Sequence, residues 1–411
     1  MSGHVSRRDD RHFHNDFPSD IGDNKDRIMD SDKKKLSGEY LEQIEKNLKV
    51  LQKTLDEQVA KGDEEDDYSV YTGTSGYSLL YLRLAQRKED TTYMKKASSI
   101  LKSNLRHLKG RRPSFLCGDL GPLALAAVLH HREGDAERAE DCITRIKQMK
   151  KEMLNPTSGL PDEMLYGRAG FLYALLLLQK EVGRSAVEDS LVRGVIDAML
   201  ESGRTLARKR KSSAPLMYQW HDSDYLGAAH GTSGILYMLM QAKEFLTSQE
   251  LEEVVKPTVD YLVSLVFPSG NFPSSLGSDR DRLVHWCHGA PGSVYLFAKA
   301  YQVFGNENYL EEAKRAGKCV WERGILRKGY SLCHGTAGNG YALLYLYQVT
   351  REPRYLYQAA QFGVWCQDYG IRGCHTADRP YSLFEGLAGM LCFLVDLEDP
   401  ENARFPAFAL E

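Results

Sequence analysis

Seven Gly-x-x-Gly tetrapeptides that lead into apolar segments punctuate this chain: GTSG at 73–76, GDLG at 118–121, GRAG at 167–170, GTSG at 231–234, GAPG at 289–292, GTAG at 335–338 and GLAG at 386–389. They are 45, 49, 64, 58, 46 and 51 residues apart. Each leads into an apolar segment such as YSLLYLRLA, FLYALLLLQ or NGYALLYLYQV, with leucines and aromatics at helical intervals. Each segment except the last is followed by a second amphipathic stretch, as in YMKKASSILKSNLRHL. A unit of two helices cannot bury its apolar faces alone and must stack on its neighbours. An open solenoid of the HEAT type satisfies the period, but such folds present one long binding face. Here the polar chemistry gathers at the Gly-x-x-Gly junctions, as expected when repeats close on one central cavity. The fold expected is therefore all-α: an α/α toroid, or double-layered helical barrel, of seven helical hairpins over residues 37–411. Residues 1–36, charged and poor in aliphatics, are expected to be mostly flexible, and KGDEEDDYS at 61–69 reads as a second solvated connector.

With 53 Lys+Arg against 56 Asp+Glu, no global field points to nucleic acid or an acidic membrane surface. Eight cysteines without an apolar secretory leader predict reduced thiols in a cytoplasmic protein, a setting that nuclear or peripheral membrane fractions also satisfy. The longest apolar run, AGFLYALLLL at 169–178, is about half of what a bilayer requires, so no integral membrane segment is expected. Residue 2 is serine, which removes the N-myristoylation pattern.

Three junctions are preceded by histidine or cysteine: AAHG with His230, WCHG with Cys287 and His288, and LCHG with Cys333 and His334. Thiols and imidazoles are the donors zinc prefers, and three protein ligands with a vacant position make the catalytic arrangement. A closed site of Cys287, His288, Cys333 and His334 is the alternative, but two pairs of sequence neighbours would need special loop geometry to reach one ion, which favours an open site. Cys117, Cys142, Cys319, Cys366, Cys374 and Cys392 are expected to be small buried hydrophobes, and His285 a packing residue.

The segments FLCGDLGPLALAAV, DEMLYGRAGFLYALL, YLGAAHGTSGILY, LVHWCHGAPG, KGYSLCHGTAGNGY, YSLFEGLAGMLCFL and the ending ARFPAFALE together resemble the eukaryotic LanC-like proteins, relatives of the bacterial LanC cyclases. The resemblance covers essentially the whole chain after the N-terminal segment. It implies one zinc held by Cys287, Cys333 and His334, with His288 outside the coordination shell. It also implies a zinc-dependent glutathione transferase that adds the glutathione thiol to dehydroalanine or dehydrobutyrine in proteins, residues left when phosphoserine or phosphothreonine loses phosphate. Such an enzyme clears damaged protein. Zinc would activate the thiol, and His230 matches the family's acid, which protonates the α-carbon. Glu163 aligns with a carboxylate that the bacterial cyclases use, although an acid ahead of a helix can equally cap it. For the carboxylates of glutathione, the resemblance assigns Lys328 and Arg11, the latter bringing the N-terminal segment over the cavity mouth. At His375 relatives commonly carry arginine, so glutathione contact there is weakened unless Arg372 or Arg379 compensates.

Two other functions fit parts of the pattern. A non-catalytic protein could bind zinc and glutathione and report to signalling partners without turnover. A toroidal glycosidase would need two carboxylates facing across the cavity, and the junctions offer only Asp119, Glu163 and Glu385 beside stronger thiol and imidazole signals.

Overall fold

The computed structural model describes residues 11–62 and 66–410. Helices begin at all seven junctions: Thr74–Lys88, Leu120–Arg132, Arg168–Glu181, Thr232–Gln241, Ala290–Phe304, Thr336–Thr350 and Leu387–Asp396. Each packs on the next, and Leu387–Asp396 packs on Thr74–Lys88, so these inner helices form a closed ring. Outside them lie Gly38–Lys61, Thr91–Asn104, Ala136–Gln148, Asp189–Arg210, the helical run 248–263, Glu307–Arg323 and Pro353–Gln367. The first of these, Gly38–Lys61, packs on the last inner helix and completes the outer layer. The two layers differ in sequence for a physical reason. Ala136–Gln148 buries one stripe, Ala139, Cys142, Ile143 and Ile146, whereas Thr336–Thr350 is buried on every side from Thr336 to Tyr347. No strand pairs into a sheet among the described residues, and no helix of theirs is long and apolar enough to cross a membrane.

The doubled glycine is set by a backbone crossing. A Cβ on the second glycine of every junction would lie 1.9–2.7 Å from the carbonyl oxygen six residues earlier, from Gly338 against Leu332 to Gly76 against Val70. The chain entering each helix folds back across its first turn. That crossing lets the residue after the first glycine donate its N–H to the carbonyl seven residues back, as Thr74 does to Asp67, Arg168 to Pro161, Thr232 to Tyr225 and Thr336 to Gly329, at 3.0–3.1 Å. At the fifth junction the Ala290 N–H is taken instead by Asn271 Oδ1 at 2.8 Å. Gly338→Ala forces a methyl 1.9 Å from a backbone oxygen, where only backbone movement can relieve it. It is expected to cost about 3 kcal/mol, the upper part of the range for overpacking, and to show as a lower thermal midpoint; an unchanged midpoint would contradict the crossing.

The C-terminal residues fill the ring from the side of the inner-helix C-termini. Gln241 Nε2 donates to Phe408 O at 3.0 Å, and Arg83 Nη1 donates to Arg404 O at 2.8 Å. Phe408 stacks on Tyr237 with centroids 4.5 Å apart, and Phe405 on Trp286 at 5.0 Å. The plug thus reaches up the axis to the residue before Cys287. Where it meets the inner helices, the buried Asp396 accepts on Oδ2 from Arg83, from Tyr341 Oη at 2.8 Å and from Arg404 N at 3.1 Å, while its Oδ1 lies 3.7 Å from Arg87 Nη2; these cations and donors offset the cost of burying the charge.

The described part of the N-terminal segment is tied down more firmly than its composition predicts. Phe13 N donates to Ile325 O at 2.8 Å, and Arg327 N to Arg11 O at 3.0 Å. Asn15 Nδ2 donates to Trp321 O at 2.7 Å, while Tyr357 and Gln361 both donate to Asp26 at 2.5 and 2.7 Å. Ile28 and Met29 are buried. A few anchors suffice because each meets a partner already fixed in the toroid. Residues 1–10 and 63–65 lie outside the described residues.

Candidate functional site

Because the junctions are equivalent, residues at one offset from the first glycine line up around the mouth. Two positions before it stand Tyr71, Leu116, Leu165, Ala229, Cys287, Cys333 and Phe384. Backbone bonds stitch this layer together: Tyr71 N to Leu116 O (3.0 Å), Cys287 N to Cys333 O (3.3 Å), Cys333 N to Phe384 O (2.9 Å) and Phe384 N to Tyr71 O (3.0 Å). Shifted by one residue, Cys117 N reaches Leu165 O at 3.2 Å and Met164 N reaches Ala229 O at 3.0 Å. One position before the glycine stand Thr72, Cys117, Tyr166, His230, His288, His334 and Glu385. The reactive groups of the chain therefore form an ordered circle whose members are set by repeat number.

Cys287 and Cys333 occupy neighbouring places in the first circle. Their sulfurs and a ring nitrogen of His334 lie within 4.8 Å of one another, and among the described residues this is the one His/Cys/Asp/Glu group with metal-binding spacing. His288 is not in it; its ring lies 5.7 Å from that of Tyr225 and 6.3 Å from that of His230, and its buried Nδ1 has no protein partner. Burial pushes the Cys333 thiol well above its usual range, and the adjacent Cys287 sulfur adds to the shift. Two such sulfurs become thiolates together only with a cation between them. Two thiols and an imidazole at this separation, buried and convergent, suit a zinc ion with one position left open. Tyr71 Oη donates to Cys333 Sγ at 2.8 Å, its ring stacked on Phe384 at 4.7 Å. The first repeat thus reaches the sulfur of the sixth across the closure of the ring.

His230 sits two places round the second circle from His334. Its Nδ1 pairs with Glu163 Oε2 at 2.7 Å, and its ring stacks on Tyr166 with centroids 6.3 Å apart. Glu163 is buried and also accepts from Leu165 N at 3.0 Å and Tyr166 N at 2.5 Å. It both caps the turn before its helix and orients an imidazole 67 residues away. With Nδ1 held by the carboxylate, Nε2 is the nitrogen left for other chemistry.

Lys328 is exposed on the loop between the outer helix Glu307–Arg323 and Cys333. Lys328 and Arg11 both act electrostatically on His285, which burial, the largest cause, pulls down to about 3; His288 falls likewise to about 4. Both imidazoles are therefore neutral at physiological pH. His375 lies on the same lip, its N–H donating to Arg327 O at 2.8 Å, with an exposed side chain. Cys142, Cys319, Cys366 and Cys392 are buried; Cys117 and Cys374 are half-buried. Tyr71 and Tyr166 stand outside the sequence-predicted site residues, though counting two and one residues back from each first glycine finds both, with Glu385.

Residues 64–410 match the family described as lanthionine synthetase C-like protein. A Danio rerio protein named glutathione S-transferase LANCL1 is 40% identical over 350 residues, which are 85% of this chain and 86% of that protein. Nisin cyclase superposes with a TM-score of 0.69 at 16% identity, covering 87% of this chain and 95% of the cyclase. Identity that low speaks for the fold alone. A closed ring of seven helical hairpins, matched along nearly its whole length at the level of sequence, makes this chain a member of the lanthionine synthetase C-like family.

Proposed function

We propose that this chain is a zinc-dependent glutathione transferase that adds the glutathione thiol to dehydroalanine and dehydrobutyrine residues in proteins, residues formed from phosphoserine and phosphothreonine. The observation that carries the reading is the pairing of two units at the helix-start junctions: the convergent Cys287–Cys333–His334 trio and the His230–Glu163 pair. The relative named as a glutathione S-transferase, at 40% identity, supports the same chemistry. Zinc bound by the trio would lower the pKa of a thiol in its open position.

The other residues then have defined work. Lys328 and Arg11 meet the carboxylates of glutathione at the lip, and exposed His375 lies beside them. The glutathione sulfur bonds to the β-carbon of the dehydroamino acid. The carbon–carbon π pair moves through the α-carbon to the amide oxygen, and His230 delivers a proton to the α-carbon, leaving a saturated thioether. Glu163 holds the imidazole in position and stabilises its cationic form. The proton on His230 is restored from water, so the net change is addition of glutathione across one double bond. The setting we assign is the cytoplasm.

The deciding experiment incubates a dehydroalanine peptide with the protein and glutathione and follows its mass. A glutathione adduct formed well above the rate without protein is expected. Retention of zinc and glutathione with no adduct would replace the reading by a binding protein acting on signalling partners. Tyr71→Phe removes only the hydroxyl that bonds Cys333 Sγ. It is expected to weaken zinc about 10-fold, within the range for groups that orient metal ligands, as read by competition with a chelating dye.

A further inference from the structure

The stretch HLKGRR at 107–112 gathers His107, Lys109, Arg111 and Arg112 into six residues of a chain whose net charge is −3. With Asp66–Ser69 and Cys117–Asp119 these residues line a cavity of about 440 Å³. Three carboxylates share the lining, and each is engaged locally: Asp66 accepts from Tyr68 Oη at 2.9 Å, Asp67 from Ser69 N at 2.9 Å and Thr72 Oγ1 at 2.6 Å, and Asp119 from Arg111 N at 3.0 Å. Lys109, Arg111 and Arg112 are exposed and make no ion pair among the described residues. His107 is held against the wall by stacking on Tyr68 at 4.8 Å.

This cavity adjoins the second circle of the site. Cys117, on its wall, belongs to the same circle as His230, with Tyr166 between them. Tyr166 is 45% exposed and stacks on Trp220 at 6.0 Å as well as on His230. Adjacent rings on this circle are 6.3 Å apart at both Tyr166–His230 and His230–His288. Two such steps span roughly three to four residues of extended peptide at ~3.3 Å each.

We propose that the cations Lys109, Arg111 and Arg112 of this cavity, unpaired among the described residues, form a subsite for an anionic side chain of the substrate protein, a carboxylate or a phosphate, three or four residues from the dehydroamino acid, with the intervening peptide lying on Tyr166. The proposal rests on the transferase reading and supplies its substrate class: acidic or multiply phosphorylated segments. Guanidinium groups suit either anion because their paired donors match carboxylate and phosphate oxygens alike.

The test uses the full-length zinc-loaded protein and dehydroalanine peptides with neutral flanks, with glutamate, or with phosphoserine at the third and fourth positions on either side. The anionic peptides are expected to exceed the neutral one about tenfold in kcat/KM, through KM, with an advantage that shrinks as salt rises. Arg111→Glu/Arg112→Glu is expected to bring that ratio to one or below. Phosphoserine outperforming glutamate would assign the subsite to phosphate; equal gains would assign it to anionic side chains generally. A ratio near one in the unaltered protein, or one that survives charge reversal, overturns the proposal. If no peptide is turned over, the transferase reading fails separately. The subsite is then read from binding of the phosphopeptide carrying serine in place of dehydroalanine, which charge reversal must weaken at least tenfold for the proposal to stand.

Discussion

Cys333→Ala should lose the metal and the adduct together. The substitution deletes one of two sulfurs in the trio and leaves a thiol and an imidazole, too few donors for a buried open zinc site. Its main-chain bonds, donated to Phe384 O and accepted from Cys287 N, need no side chain and survive. Zinc content, measured on purified protein, is expected to fall from one per chain to near zero, and adduct formation to the rate without protein. The helical circular dichroism should persist, because the core packs through the seven inner helices and the C-terminal plug rather than through the metal. Tyr71 would lose its acceptor in the same variant, leaving its hydroxyl to water at the half-buried mouth. A Cys333→Ala protein that still forms the adduct would remove the metal from the reaction.

His230→Ala is expected to separate binding from chemistry. The imidazole stands two places from His334 on the circle and is not part of the trio, so zinc should remain. Loss of a positioned acid or base costs 10²–10⁴-fold in rate, and the fall should appear in kcat. Glu163→Gln keeps a side chain that can still accept from Leu165 N but cannot counter an imidazolium charge; a smaller loss of about 10–100-fold is expected, the range for groups that act through their neighbour. Full turnover in His230→Ala would mean that another group protonates the α-carbon. Loss of zinc along with rate would mean that the histidine helps to build the metal site.

The repeat was readable because its cause is local. A backbone that crosses its own helix start six residues later excludes a Cβ there, so glycine recurs wherever the crossing does. The doubled Cys-His was readable for the same reason, since equal offsets from those glycines mean equal places in the fold. Glu163 was visible as an acid before a helix, and capping is half of what it does. Its other half, the bond to His230, joins residues 67 apart and exists only because neighbouring repeats pack side by side. The contacts of the described N-terminal residues were not legible in composition, which counts apolar residues and not partners. Phe13 meets Trp365 at 5.1 Å and Arg327 at 4.2 Å, both supplied by distant parts of the chain.

Sequence alone settled that seven equivalent helix starts exist and which of them carry thiols and imidazoles, because steric exclusion and residue type act within a few residues. Closure of the ring decided the rest. Phe384 N bonds Tyr71 O, and Tyr71 Oη bonds the Cys333 sulfur, only when the seventh repeat meets the first. Periodicity fixes the unit and not the curvature of the stack; curvature comes from how the buried faces of Thr74–Lys88 and Leu387–Asp396 pack, with Phe405 and Phe408 filling the centre between the repeats.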